Sequence, residues 1–91
     1  MTPEGAAKKD IKDWLDKIGA YYFMPVQSGY GRRTVDFLVC WRGQFIAVEA
    51  KAPGKKATKF QQRVMLDITV AGGRAVCVDS LDKLVDWWNG T

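Results

Sequence analysis

The chain has 91 residues, of which 47% are hydrophobic and 26% are charged, a composition typical of one small globular domain. We therefore interpret residues 1–91 as a single domain. No apolar run approaches the about 20 residues that span a bilayer, and the first residues lack the pattern of a signal peptide, so we expect a cytoplasmic location. The chain contains no histidine, which excludes Ser-His-Asp and Cys-His catalysis as well as zinc sites that use histidine ligands. The net charge of +4 is compatible with a polyanionic partner without requiring one.

The first predicted element is a helix from Pro3 to Ile18. Thr2 can cap it, proline suits its first position, and Gly19 ends it. One face carries the hydrophobic residues Ile11, Trp14, Leu15 and Ile18. The aromatic residues that follow predict a short strand over residues 21–24.

A hairpin is predicted in the middle of the chain. Its strands run from Thr34 to Trp41 and from Gln44 to Ala50, with Arg42-Gly43 as the turn. Beyond a basic loop (residues 51–57), we predict a helix over 58–71, a strand over 74–78 and a last helix capped by Ser80. The order α-β-β-β-α-β-α predicts an α/β fold, with a mixed sheet flanked by helices.

The hairpin brings two acidic residues together. With a two-residue turn, Trp41 faces Gln44, and Asp36 then faces Glu49 on the same side of the sheet, with Cβ atoms about 5 Å apart. Lys51 leaves the same face because side chains alternate along a strand. A three-residue loop or a bulge would shift this register by one residue.

Two facing carboxylates repel each other, and a divalent cation between them removes the conflict. Hard oxygen ligands of this kind suit Mg²⁺ or Mn²⁺, and the main-chain carbonyl of Ala50 is a plausible further ligand. Lys51 could polarise an attacking water or stabilise charge on a phosphate. The alternative is an exposed hairpin face on which Lys51 forms an ion pair with Asp36 or Glu49. We prefer the functional interpretation because the acidic residues lie within apolar runs.

A family resemblance follows from these motifs and their spacing. Residues 36–39 (DFLV) and 45–51 (FIAVEAK) resemble the Asp…Glu-x-Lys core of the PD-(D/E)xK nucleases, which have a restriction-endonuclease-like fold. With residues 58–61 (TKFQ) and 71–78 (AGGRAVCV), nearly the whole chain resembles the VRR-NUC family, the virus-type replication-repair nucleases. One departure is Val35, where the family usually has proline.

The resemblance implies a role for each matching residue. Asp36 and Glu49 would bind the metal, Lys51 would assist the nucleophilic water, Gln61 would complete the site, and Glu4 would reach in from the first helix. Gln61 has an alternative role in a capping box with Thr58, and Gln62 would replace it if the helix phase differed. The helix dipole alone can explain Glu4.

Five basic residues flank the predicted site and are candidate DNA contacts: Arg32, Arg33, Lys55, Lys56 and Lys59. Cations at these positions would hold phosphates without reading sequence. Solvated loop charge is the alternative interpretation for each of them.

Together these features predict an Mg²⁺- or Mn²⁺-dependent DNA endonuclease. Resemblance to stand-alone family members implies a homodimer that acts on branched DNA, such as Holliday junctions or flaps, in the host cytoplasm if a phage encodes it. The alternatives are a restriction or repair nuclease module joined to partner domains, and a DNA-binding module without catalysis. We also expect Cys40 and Cys77 to be buried thiols, and one of the adjacent Trp87 and Trp88 to cover a subunit interface.

Overall fold

A computed structural model describes residues 1–26 and 33–90. The elements follow the predicted order: α1 (Pro3–Ile18), β1 (Tyr21–Phe23), β2 (Phe37–Trp41), β3 (Gln44–Ala50), α2 (Lys59–Val70), β4 (Arg74–Val78) and α3 (Leu81–Asn89). The four strands form one sheet in the order β1-β2-β3-β4. The β1–β2 and β2–β3 pairs are antiparallel and the β3–β4 pair is parallel, which confirms the predicted mixed sheet.

Helices cover both faces of the sheet. On one face, α1 and α3 bury a core around Ile11, Phe37, Val48 and Leu84, all of them inaccessible to solvent. On the other face, α2 packs Val64 against Ala47 and Val35 in a smaller core. The sheet therefore separates two layers of helices, and its β1–β2 side on the α2 face has less cover.

The turn between β2 and β3 fixes the register of the hairpin. Arg42 and Gly43 both have positive φ values, 47° and 79°, the combination that defines a type I′ turn. Trp41 pairs with Gln44, and at the other end of the ladder Phe37 pairs with Val48, as predicted. The next residue before Phe37 is Asp36, which this register places opposite Glu49.

Strand β2 is shorter than predicted, because it begins at Phe37 rather than Thr34. At Asp36, hydrogen bonds to side chains replace the main-chain hydrogen bonds between the two strands. The Asp36 amide donates to Glu49 Oε1 at 3.1 Å, and the Ala50 amide donates to Asp36 Oδ2 at 2.9 Å. Strand β2 therefore starts after Asp36, because at that residue acidic side chains accept the main-chain N–H groups.

The expectation for the cysteines is only partly met, and that of a tryptophan at a subunit interface stays a prediction. Cys40 is exposed and Cys77 is half-buried, so the prediction of two buried thiols is wrong for Cys40, which lies on the part of the sheet that α2 leaves open. Both adjacent tryptophans pack within the chain: Trp88 contacts Trp14 edge-on, and the ring of Trp87 lies under the Arg74 guanidinium.

Candidate active site

The predicted site lies at one end of the sheet, where β2 starts and β3 stops. The first turns of α1 and α2 flank this end and close a cavity of about 330 Å³. All five residues predicted to form the catalytic site line this cavity, and Arg33, Thr34 and Phe60 line it as well. The five are Glu4, Asp36, Glu49, Lys51 and Gln61.

Asp36 and Glu49 form the buried centre of the site. Their exposed fractions are 9% and 3%, values that carboxylates rarely have without partners. Burial and, after it, the negative charge of Asp36 raise the pKa of Glu49 to about 7, because Lys51 and the hydrogen bond from the Asp36 amide oppose the shift only in part. At neutral pH, Glu49 therefore binds a proton more readily than an ordinary carboxylate does.

Each buried carboxylate faces a lysine. Lys51 Nζ lies 3.5 Å from Glu49 Oε2, and Lys8 Nζ lies 3.2 Å from Asp36 Oδ1. Partial burial lowers the pKa of Lys8, but the charges of Asp36 and Glu4 outweigh it and leave that pKa above its ordinary value. Lys8 is therefore a cation wherever the two carboxylates are ionised.

Gln61 has both of the roles that its spacing allowed. Its side-chain oxygen accepts from the Thr58 amide at 2.9 Å, and the Thr58 hydroxyl accepts from the Gln61 amide at 3.2 Å, which completes a capping box. Its side-chain nitrogen donates to Glu49 Oε2 at 2.6 Å. Gln62 points elsewhere and donates to the Ala57 carbonyl, so the helix phase places Gln61 in the site.

Glu4 reaches the cavity but contacts a lysine rather than the acidic pair. Its Oε2 lies 3.4 Å from Lys8 Nζ, one helical turn further along α1. Over residues 1–26 and 33–90, no group of three or more histidine, cysteine or acidic side chains is close enough to hold a metal. Asp36 and Glu49 therefore form a two-carboxylate site, with Glu4 at its edge.

Two carboxylates still fit the predicted metal. Mg²⁺ usually binds to proteins through one or two carboxylates and takes its other ligands from water and phosphate. Each carboxylate oxygen has lone pairs beyond the one used by its hydrogen bond. The Ala50 carbonyl should face the same side as the Ala50 amide, towards Asp36, because both groups of a strand residue point to one neighbour. The donor set is therefore suitable for Mg²⁺ or Mn²⁺.

The chain was compared with protein families, curated proteins and solved structures. No protein-family model matches the chain, and no curated protein matches it. A solved structure described as a VRR_NUC domain superposes on it with a TM-score of 0.81, over 98% of this chain and 97% of that chain, at 25% sequence identity. The resemblance to the VRR-NUC family is confirmed. The match supports a nuclease-type domain.

Within this VRR-NUC fold, the basic residues predicted to contact DNA are distributed unevenly. Arg33 lines the cavity that contains Asp36, whereas Lys55 and Lys56 line a neighbouring cavity beside Asp79. Lys59 is exposed in the first turn of α2, and Arg32 lies outside the described residues. Among the described members of these five candidate DNA contacts, Arg33 alone lines the cavity that contains the acidic pair.

The sequence prediction missed Lys8, although the sequence carries a signal for it. Lys8 lies four residues after Glu4 and three before Ile11, on the stripe of α1 that also contains the buried Leu15. A lysine on the inward-facing stripe of a helix is unusual unless it has an acidic partner. That partner, Asp36, is distant in sequence, so helix periodicity alone could not identify it.

No helix among the described residues is both long enough and apolar enough to cross a membrane.

Proposed function

We propose that this chain is a metal-dependent DNA endonuclease that hydrolyses phosphodiester bonds. The observation that carries the proposal is the buried Asp36–Glu49 pair, with Lys51 beside Glu49, in a cavity at the end of the sheet. A binding module gains nothing from two buried carboxylates that repel each other. A hydrolase that must hold a cation beside a phosphate needs such a pair.

Asp36, Glu49 and the Ala50 carbonyl are the residues that would hold Mg²⁺ or Mn²⁺. When bound, the cation supplies Lewis acidity at the scissile phosphate. The chain's own contribution is to keep these oxygens in place: the Ala50 amide holds Asp36, and the side chain of Gln61 holds Glu49. Preorganised ligands of this kind do not have to be reoriented during the reaction.

Lys51 is the residue that would assist hydrolysis. In this step a water oxygen attacks phosphorus, and the P–O bond to the leaving oxygen breaks. The Lys51 side chain is mostly buried, and its Nζ lies 3.5 Å from Glu49 Oε2. From that position it can orient the water or stabilise the negative charge that develops on the phosphate oxygens. Arg33, at the wall of the cavity, can hold the phosphate backbone without reading sequence.

We further propose that the chain acts as a homodimer on branched DNA. Exposed apolar side chains on the open part of the sheet support self-association: Tyr21 and Phe45 both pair with Cys40, so these three exposed residues form one row across the strands. Phe23 continues this surface and is 60% exposed. We call these four residues the open sheet surface; apolar patches of this kind commonly mark protein interfaces. A symmetric dimer would carry two active sites, one for each cut strand of a four-way junction.

The proposal is tested by incubating the protein with labelled four-way junction, flap and linear duplex DNA in Mn²⁺, Mg²⁺ or EDTA. Lys51→Ala and Asp36→Asn are the test variants. Lys9→Ala and Asp13→Asn are matched controls, because Lys9 and Asp13 form an exposed ion pair on α1. We expect metal-dependent cleavage of branched DNA that both test variants lose and both control variants keep.

Two other results would change the conclusion. Binding of DNA without cleavage of any substrate in any metal, with test variants equal to the wild type, would leave a DNA-binding module. Cleavage of linear duplex as fast as of branched DNA would keep the nuclease and reject the preference for branched DNA.

A further inference from the structure

Lys8 is the feature of the site that neither the predicted catalytic set nor the family resemblance explains. Its ammonium group contacts two carboxylates, at 3.2 Å from Asp36 Oδ1 and 3.4 Å from Glu4 Oε2. The Lys8 side chain is one-third exposed, whereas Asp36 is 9% exposed. Lys8 therefore reaches from the surface into the site and places a positive charge on one of the two proposed metal ligands.

The formal charges around the cavity are balanced with Lys8 in this position. Glu4, Asp36 and Glu49 supply negative charge, and Lys8, Arg33 and Lys51 supply an equal number of positive charges. A divalent cation would add two positive charges to this balanced group. Its binding is therefore opposed by any lysine that keeps its contact with a ligand carboxylate.

Lys8 and Lys51 differ in how easily each can move away from the carboxylate that it contacts. The Lys51 side chain is only 13% exposed, and its contact is Glu49. Lys8 is more exposed and has a second partner, Glu4, which lies one helical turn away on the same helix and whose side chain is 42% exposed. Lys8 can therefore leave Asp36 and remain paired, since pairs four residues apart on a helix are near neighbours.

From this geometry we infer that Lys8 is an internal counter-cation that occupies Asp36 in the metal-free protein and competes with divalent cations for that carboxylate. Glu4 accepts Lys8 when the metal displaces it, so Glu4 acts through Lys8 rather than as a metal ligand. Lys8 and Glu4 are then positioning residues that set the affinity of the site for the metal. The inference rests on the proposed function, because it requires a divalent cation at Asp36 and Glu49.

The decisive measurement is the affinity for Mn²⁺ without DNA, followed through the electron paramagnetic resonance signal of free Mn²⁺. We expect Lys8→Met to bind Mn²⁺ about tenfold more tightly, the effect of removing one partly buried competing charge. Lys12→Met is the matched control: Lys12 lies one turn further along α1 and pairs with Asp16 at 3.3 Å on the surface. We expect that variant to bind Mn²⁺ like the wild type.

Glu4→Gln separates the two roles of Glu4. If Glu4 accepts the displaced Lys8, Glu4→Gln weakens Mn²⁺ binding in the wild type and has no effect in the Lys8→Met background. If Glu4 is a metal ligand, the same substitution weakens binding in both backgrounds, and that part of the inference is overturned. The four proteins form a double-mutant cycle that isolates the interaction between the two residues.

The thermal midpoint in EDTA gives a second readout. Lys8→Met should lower it, because Asp36 then lacks its cation, and saturating Mn²⁺ should restore more stability to this variant than to the wild type. Lys8→Gln replaces Lys8→Met if the latter does not fold. Mn²⁺ binding that is unchanged or weaker in the Lys8 variant overturns the inference and leaves the nuclease proposal intact. Failure of the wild type to bind Mn²⁺ at millimolar concentration overturns both.

Discussion

Asp36 and Glu49 hold each other in place through the main chain. The Asp36 amide donates to Glu49 Oε1, while the Asp36 carboxylate accepts from Ala50, the residue after Glu49. These two hydrogen bonds thereby keep two negative groups close together. The repulsion between the two groups is a cost of folding that a bound cation would offset.

The first prediction concerns stability against pH without metal. The pKa of Glu49 in the folded protein, about 7, lies above the ordinary value of 4.5. Between these two values the folded state keeps a proton that the unfolded state has released, so this group's contribution to stability falls as pH rises from about 4.5 to about 7. We expect the wild type to lose on the order of 2 kcal/mol relative to Glu49→Gln across this range. Urea unfolding at pH 5 and pH 8 measures the difference.

The stability that Mn²⁺ adds should change with pH in the opposite direction. A cation favours the ionised carboxylate, so the stability that saturating Mn²⁺ adds to the wild type should be larger at pH 8 than at pH 5. Glu49→Gln should show little of this pH-dependent gain. A wild type whose stability rises between pH 5 and pH 7 without metal, relative to the variant, would contradict the raised pKa.

The second prediction separates the two roles of Gln61. Thr58→Ala removes the cap, costs about 0.5–2 kcal/mol of stability and should leave cleavage unchanged at temperatures where the protein is folded. Gln61→Ala keeps the bond from its own amide to the Thr58 hydroxyl but removes the side chain that accepts from the Thr58 amide and donates to Glu49 Oε2, so it should lower the cleavage rate about tenfold or more. Chemical unfolding and single-turnover cleavage measure the two effects. Equal cleavage by both variants would limit Gln61 to its capping role.

The third prediction concerns Arg33 and DNA. Because Arg33 lines the cavity, Arg33→Ala should weaken binding to all DNA sequences alike and reduce the slope of log affinity against log salt by about 1. Arg63→Ala is the control, since Arg63 is exposed on α2 and paired with Asp67. Fluorescence anisotropy between low and physiological salt in EDTA measures both slopes. An unchanged slope in Arg33→Ala would show that Arg33 makes no phosphate contact.

The fourth prediction concerns self-association through the open sheet surface. Tyr21→Glu and Phe23→Glu should shift the protein from twice the chain mass to the chain mass in light scattering after gel filtration, because each places a charge on an apolar interface. Leu66→Glu is the control, a similarly exposed residue on α2 (56%) at a helical position opposite Val64. A wild type that is monomeric at high concentration would reject the dimer, and a dimer that only Leu66→Glu disrupts would place it elsewhere.

Sequence periodicity and turn chemistry were sufficient to predict the element order and the register of the hairpin. The two-residue turn, with glycine at its second position, pairs Trp41 with Gln44, and counting back along both strands then pairs Phe37 with Val48. The positions of Asp36, Glu49 and Lys51 follow from this register alone. The role of Gln61 needed the structure, because a capping box and a contact with Glu49 use the same spacing.

Contacts between distant segments could not be predicted from one sequence. Lys8 reaches Asp36 because the N-terminal part of α1 lies beside the start of β2, and a helical pattern gives no information on which strand lies nearby. The predicted start of β2 was wrong for a similar reason, because the acidic side chains that replace the main-chain hydrogen bonds there belong to both strands of the hairpin. The exposure of Cys40 depends on how much of the sheet α2 covers, which its sequence does not specify.

The turn at Arg42-Gly43 has a consequence for how the site can vary. It lies roughly 20 Å from Asp36, at about 3.3 Å for each strand residue, and it contributes no atom to the cavity. If the hairpin kept a two-residue turn, adding or removing one residue there would shift the pairing by one, so that Val48 or Ala50, rather than Glu49, would lie opposite Asp36 and the acidic pair would separate. Residues far from the chemistry can thus be as intolerant of insertion as the ligands themselves, and here the positive φ values also restrict which side chains the turn accepts.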